Sequence, residues 1–349
     1  MQNKNRQTGP EKMTNLHVWI ISDTLPGHYN QSMGIVNALR EYENVTFNTV
    51  EITLQSKLFR SLLRWAANHK FRFNNTLLKT LFHLPKLPDR TPDIVISAGG
   101  NTLFATIALG QKFNATKVFS GTLKGYRSSL LDVVFSVTPL VSTNQPVDNN
   151  IVLDLPPSNI SDIEDLSVKQ PPYVFACLIG GDGAGYRYDQ TDWQDLVSLL
   201  AAIQSRYPCQ WLISTSRRTG IEAERILDKA IKASTIQPYI DELILYASNP
   251  KKVIQSWLQQ ANALFTTEDS LTMVAESIVS RKPVFTLQPR HVRPDHNDAA
   301  ALNKYHQKGL IQRLKLHSAT SPKFDPTGKI NLPDIQRQIH QAIMETHRS

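Results

Sequence analysis

The residues able to do chemistry lie in short clusters, each just after an apolar run. The first is Ser22-Asp23-Thr24-Leu25-Pro26-Gly27-His28-Tyr29-Asn30-Gln31. A Pro-Gly turn there holds Asp23 and His28 together, and an imidazole tuned near neutral pH suits deprotonation of a hydroxyl nucleophile. A plainer role also fits: Asp23 capping a helix and His28 bonding to backbone. Gly99-Gly100-Asn101-Thr102 offers close backbone approach to a ligand, although a strand-to-helix turn needs glycine anyway. Gly180-Gly181-Asp182-Gly183-Ala184-Gly185 lacks the lysine of a P-loop and the spacing of a dinucleotide fingerprint, which leaves a phosphate or sugar cradle.

Ser214-Thr215-Ser216-Arg217-Arg218-Thr219 gathers hydroxyls and guanidiniums in a donor-rich anion site, or forms an ordinary exposed helix start. In Thr266-Thr267-Glu268-Asp269-Ser270, the serine is a natural N-cap whose helix could receive a phosphate. Asp269 and Glu276 are spaced to share one helix face, so Glu276 could bond a ribose hydroxyl; the bland alternative is a cap and a solvated acid. His291, Asp295, His296 and Asp298 do not share a helix face, and Pro294 interrupts them, so no metal site is expected. No HExxH and no Gly-x-Ser-x-Gly elbow occurs.

Placing such clusters requires strands that end where the clusters begin. LHVWIIS (16–22), VTFNTVEI (45–52), DIVISAGG (93–100), KVFSG (117–121) and DVVFSV (132–137) alternate with helical patterns. Residues 140–172 are rich in Pro, Asn, Ser and Asp and read as irregular chain. The alternation then restarts with strands at 173–181, 211–218, 242–246, 262–267 and 282–289. The expectation is an α/β protein of two doubly wound domains. The divisions are a disordered tail (1–15), an N-terminal domain (16–150), a linker (151–172), a C-terminal domain (173–330), and a last helix (331–349) that returns to the first domain.

Composition sets the class. The chain has 349 residues, 41% hydrophobic and 19% charged, ordinary for globular domains and inconsistent with a disordered or disulfide-framework protein. Cys177 and Cys209 lie in apolar runs without CxxC spacing, which fits a reducing compartment. The polar N-terminus reads as a tail and not a signal peptide. Lys and Arg exceed Asp and Glu by 38 to 30, a net charge of +8, which points to an acidic partner. The excess gathers in segment 54–87, where Lys57, Arg60, Arg64, Lys70, Arg72, Lys79 and Lys86 interleave with Leu, Phe and Trp. That pattern suits an anionic membrane surface or a solvated amphipathic helix pair, and no nucleic-acid motif accompanies it.

Taken in order, the clusters resemble a known family. Asp23-x-x-Pro26-Gly27-His28-x-Asn30-Gln31-x-x-Gly34, Gly180-Gly181, Thr215-Ser216-Arg217-Arg218-Thr219, Thr267-x-Asp269-Ser270-x-x-Met273-x-x-Glu276 and Lys282-Pro283-Val284 are similar to the mitochondrial-fission Elm family. Bacterial members of that family are regarded as glycosyltransferases of GT-B type. The resemblance covers about Asn15 to Leu314. It implies two Rossmann-like domains facing a cleft, a metal-independent site with no cofactor, and a nucleoside-diphosphate sugar as donor substrate. Gly180 and Gly181 would then approach the donor phosphates, with Ser216, Arg217 and Arg218 on the pyrophosphate. Ser270 would hold phosphate, Glu276 would take the ribose, and Asp23 or His28 would activate the acceptor. Ser97-Ala98-Gly99-Gly100-Asn101-Thr102 lacks the arginines of many relatives, and Leu153-Asp154-Leu155-Pro156-Pro157 replaces a glycine-containing segment.

The expected function is transfer of a sugar to a cell-envelope acceptor such as a lipopolysaccharide core, by a cytoplasmic enzyme peripheral on the inner membrane. The alternatives are a non-catalytic adaptor recruited to a membrane and, with weaker support, an NAD(P)-dependent sugar epimerase or reductase.

Overall fold

The computed structural model describes residues 14–54, 59–69, 82–83, 85–142, 145–160, 163–318 and 320–348. Of the tail expected at 1–15, residues 1–13 lie outside the described residues, as does much of the basic segment, including Lys57, Lys70, Arg72 and Lys79, whereas Asn15 already belongs to the first strand. The chain divides into two units. One comprises Met1–Asn159 with Asp334–Ser349, and the other Ile160–Pro333.

The first unit is built on β1 (Asn15–Ser22), α1 (Pro26–Arg40), β2 (Asn44–Glu51), α2 (Phe59–Asn68), β3 (Ile94–Ala98), α3 (Leu103–Phe113), β4 (Thr116–Ser120), β5 (Val133–Ser136), β6 (Asn150–Val152) and, from the chain's end, a C-terminal helix Ile335–Arg348. The six strands are all parallel in the order β6-β5-β4-β3-β1-β2. Alternation along β1 explains both faces. Leu16, Val18 and Ile20 join Ile35, Val36 and Leu39 of α1 and Ile339, Ile343 and Met344 of the C-terminal helix. Trp19 and Ile21 join Leu63 of α2 and Leu103, Phe104 and Ile107 of α3. His340 of the C-terminal helix bonds Glu43 at 3.1 Å, and His347 lies 2.8 Å from the hydroxyl of Thr116.

The second unit runs β7 (Tyr173–Leu178), α4 (Gln190–Arg206), β8 (Cys209–Ser214), α5 (Ile221–Lys232), β9 (Ile240–Ile244), α6 (Ile254–Gln260), β10 (Ala263–Thr267), α7 (Leu271–Val279), β11 (Val284–Gln288), α8 (His296–Gln307) and β12 (Gln312–Lys315). With the C-terminal helix of the first unit numbered α9, the order here is β9-β8-β7-β10-β11-β12, again all parallel. Its core stacks Phe175, Trp211, Phe265 and Phe285 against α4 and α5. Each unit is therefore a doubly wound α/β sheet.

Residues 151–172 are not a free linker. Ile151 and Val152 pair with β5, and Leu153 and Leu155 are buried. Further on, Asp165 receives Lys329 at 2.8 Å, Lys169 at 3.2 Å and the buried Lys282. No helix among the described residues is long and apolar enough to cross a membrane.

Candidate functional site

Strand order identifies the positions to inspect. In a parallel sheet, crossovers on either side of one strand leave open the loops at its carboxyl end and its neighbour's. In the first unit those strands are β1 and β3; in the second they are β7 and β10.

After β1 the chain turns through Thr24, a non-glycine residue at φ +64°, and Pro26 starts α1 at its first helical position. His28 sits in that first turn. Its Nδ1 lies 3.0 Å from both carboxylate oxygens of Asp23. The Nδ2 of Asn101 donates to Asp23 Oδ2 at 3.0 Å, and the Asn101 carbonyl accepts from Arg60 of α2 at 2.7 Å. Burial tends to raise the pKa of Asp23, but the bonds from His28 and Asn101 outweigh it and hold the carboxyl below its ordinary range. A carboxylate on Nδ1 assigns the proton to that nitrogen and leaves Nε2 with its lone pair. The Asp23 side chain is 7% exposed and that of His28 34%. Asp23, offered by the sequence as an alternative base, is thus an orienting group, and His28 is the accessible one. Gly99, at φ +83°, makes room for the imidazole: a Cβ there would lie 2.2 Å from ring atoms of His28.

The second unit corrects several expectations. Gly180 and Gly181 do not present free amides. The Gly180 N–H donates to Thr267 at 2.7 Å and the Gly181 N–H to Asp269 Oδ2 at 3.2 Å. The space beside them is filled from within: a Cβ on Gly180 would lie 2.1 Å from Asp269 Oδ2, and one on Gly181 2.3 Å from the Arg218 carbonyl. Arg218 is not waiting for pyrophosphate, since its guanidinium meets Asp269 Oδ2 at 2.6 Å. Tyr188 donates to Asp269 Oδ1 at 3.1 Å. Asp269 precedes α7, so it does not share a helix face with Glu276, and its side chain is fully buried. Burial pushes its pKa up, with Thr267, Arg218, Gly181 and Tyr188 opposing. A carboxylate of the chain itself therefore occupies the cradle read from the sequence as a phosphate site.

The remaining candidates divide. Thr215 is buried and donates to Glu224 at 2.5 Å, and Ser216 donates to the Gly180 carbonyl at 3.1 Å. Both brace loops and offer little to a ligand. Glu276 is buried and has an interaction of its own within the chain. Ser270 caps α7 by accepting from the Met273 N–H at 3.4 Å, and Ser270 through Met273 are half-buried at the helix mouth. Arg217 is exposed and makes no ion pair among the described residues.

Other groups here had no clear signal in the sequence. Glu268, adjacent to Asp269, is gripped by Arg313 at 2.6 and 2.7 Å and by Thr286 at 2.8 Å. An open pocket of about 850 Å³ is lined by Asp182, Gly183, Arg187, Arg290, His291 and Arg293 among others. Arg290 is taken by Asp192 and Asp195, at 2.9 and 2.5 Å. Arg187 and Arg293 carry no ion pair among the described residues, and a Cβ at Gly183 would stand 3.0 Å from Arg218 Nη1. Asp295 caps α8 through the Asp298 N–H at 2.9 Å, and among the described residues no three His, Cys, Asp or Glu side chains are grouped to hold a metal ion.

Comparison with known proteins bears on most of the chain. An uncharacterized protein of Rickettsia prowazekii (strain Madrid E) is 24% identical, with 78% of this chain and 84% of that one covered. Among solved structures, an S. aureus MnaA–UDP co-structure is 13% identical at a TM-score of 0.47, covering 95% of this chain and 87% of that one. E. coli ADP-heptose lps heptosyltransferase II is 12% identical at a TM-score of 0.44, covering 95% and 99%. Residues 26–331 match the family described as mitochondrial fission ELM1, spanning both doubly wound units, and the chain belongs to that family.

Proposed function

We propose that this protein is a glycosyltransferase that moves a sugar from a nucleoside-diphosphate donor to a hydroxyl of a cell-envelope acceptor. The observation that carries the reading is the Asp23–His28 pair at the carboxyl end of β1, with Nδ1 on the carboxylate and Nε2 free. In the reaction, His28 Nε2 takes the proton of the acceptor hydroxyl. The oxygen forms a bond to the sugar's anomeric carbon, and the bond from that carbon to phosphate breaks, its electron pair leaving with the nucleoside diphosphate.

The second unit would hold the donor. With the Gly180–Gly181 cradle filled, its diphosphate would be met by Arg217, the free Arg187 and Arg293 beside the pocket, and the N-terminus of α7. Those fixed charges can stabilise the leaving group without a cofactor. The acceptor class, a lipopolysaccharide-core-like glycan reached from the cytoplasmic membrane face, draws support from α2, whose Phe59, Leu62 and Trp65 are exposed. Arg60 and Arg64 of that helix bond to Asn101 and the Lys124 carbonyl, so the apolar residues are what the helix offers a bilayer's hydrocarbon edge.

The filled cradle is the one observation favouring a non-catalytic adaptor, and the test separates the readings. Thermal stability is measured with UDP, GDP, ADP and CMP; a ligand at 100 times its Kd adds about 2.7 kcal/mol. Stabilisation by one nucleotide, lost in Arg217→Ala, and release of that nucleotide from its sugar in a His28-dependent manner are expected. A folded protein silent to every nucleotide overturns the enzyme and leaves the adaptor.

A further inference from the structure

Three consecutive residues of the β3–α3 loop each touch a different charged or catalytic group. Gly99 lies against the ring of His28. Gly100 lies against the side chain of Lys124, whose Cγ would stand 3.1 Å from a Cβ there. Asn101 bridges Asp23 and Arg60. A second link closes the group, because Arg64 donates to the Lys124 carbonyl at 3.0 Å. Arg60, Arg64 and Lys124 are therefore gathered by the same loop that seats the imidazole.

These cations have no carboxylate of their own. Among the described residues none of the three forms an ion pair, and the sequence holds no acid between Glu51 and Asp89. Asp23 is already committed to His28 and Asn101. The backbone spends strain to present Lys124: it is a non-glycine residue at φ +49°, between Gly121 at φ +126° and Gly125 at φ +87°. Such conformations persist where the surrounding structure over-determines them and gather at ligand sites.

We infer that Arg60, Arg64 and Lys124 form an anion subsite beside His28, and that the acceptor carries a phosphate group close to the hydroxyl that His28 deprotonates. The inference rests on the reading of His28 as the acceptor base and adds the acceptor's chemical class. A guanidinium fork and a free ammonium suit a phosphate monoester or diester, and a phosphate held there would place the neighbouring hydroxyl at Nε2. The phosphate can belong to a soluble phosphorylated sugar or to a lipid headgroup.

The test follows the His28 Cε1–H resonance in full-length protein carrying 13C-labelled histidine, assigned with His28→Gln. Glucose 6-phosphate, glucose, and vesicles of phosphatidylcholine with or without phosphatidylglycerol are added at constant ionic strength and pH. Glucose 6-phosphate or the anionic vesicles should shift the resonance, and glucose or neutral vesicles should not; which of the two anionic probes acts names the phosphate's source. Arg60→Gln and Lys124→Asn, the latter tolerant of positive φ, should each weaken that response about tenfold. Lys86→Ala, removing an exposed lysine paired with Asp89, should leave it unchanged. Silence at His28 toward both anionic probes, or equal response in the two variants, overturns the inference. No nucleotide is present, so this failure is distinct from nucleotide silence, which instead removes the glycosyltransferase reading.

Discussion

The imidazole of His28 occupies the volume that a side chain at position 99 would need. Any Cβ on Gly99 would come within 2.2 Å of Cε1 and Nδ1, the two atoms nearest Asp23's carboxylate and the reacting edge. The glycine is required twice, for this contact and for its φ of +83°. Gly99→Ala should therefore push the ring off Asp23. We expect activity to fall about 100-fold, as misplacement by 1 Å can cause, with the far-ultraviolet circular dichroism retained. Unchanged turnover in a folded variant would show that the ring position is unimportant.

Asp23→Asn tests orientation against charge. The amide can still occupy the site, but it can turn its NH2 group toward Nδ1 and stabilise the wrong tautomer. Loss of about 100- to 10,000-fold in kcat with little change in KM is expected from a base that no longer accepts a proton at Nε2. A change confined to KM would instead mean that Asp23 contacts the acceptor.

The two neighbouring arginines should behave differently. Arg218 neutralises a fully buried carboxylate, so Arg218→Ala strands Asp269. Because the guanidinium is 35% exposed, we expect less than the about 3–5 kcal/mol of a fully buried pair, about 2–3 kcal/mol of lost stability in urea unfolding. Arg217→Ala should stay within roughly 0.5 kcal/mol of the parent protein and lose nucleotide-induced stabilisation. Equal stability of the two variants would deny the Asp269 pair its role.

Acid should loosen the second unit through Asp165. Burial alone would raise its pKa, but Lys282, Lys329 and Ser167 hold the carboxyl far below its usual range. Burial also draws the Lys282 ammonium down while Asp165 supports it; two close lysines on one carboxylate favour the charged pair, so the acid side governs. A depressed folded pKa means stability fully present above the unfolded value near ~4 and lost as pH falls below it. Asp165→Asn should thus be less stable at pH 7 by about 2–4 kcal/mol, with the difference shrinking below about pH 4. A difference independent of pH between 3 and 7 would count against the ion pair.

What the sequence disclosed follows from range. The strand exits were readable because LHVWIIS and DIVISAGG end abruptly in polar and glycine residues, and the Pro26 turn announced α1 locally. Ser270 as a cap was readable for the same reason: its partner is the Met273 N–H, three residues away. Asp269 was misread because its partners, Gly181, Tyr188 and Arg218, are 51 to 88 residues distant, and only the fold brings them together. Arg60 and Lys124 were likewise invisible as neighbours. The basic run around Arg60 looked like a membrane face, while the arginine's actual contact is the Asn101 amide. Two-residue spacing showed which residues enter a sheet, but not which loops close over one another.

The helix Ile335–Arg348 belongs to the first unit yet is synthesised only after the whole second unit. While the second unit is still being made, the hydrophobic surface of α1 that will receive Ile339, Ile343 and Met344 stays bare, and Glu43 lacks His340. The first unit therefore cannot finish before the second unit has been made, however early its own strands assemble. A nascent chain arrested anywhere before residue 335 would carry that uncovered strip, an opening for chaperones. Protease resistance of the amino-terminal half should rise only once residues 335–348 are available to dock.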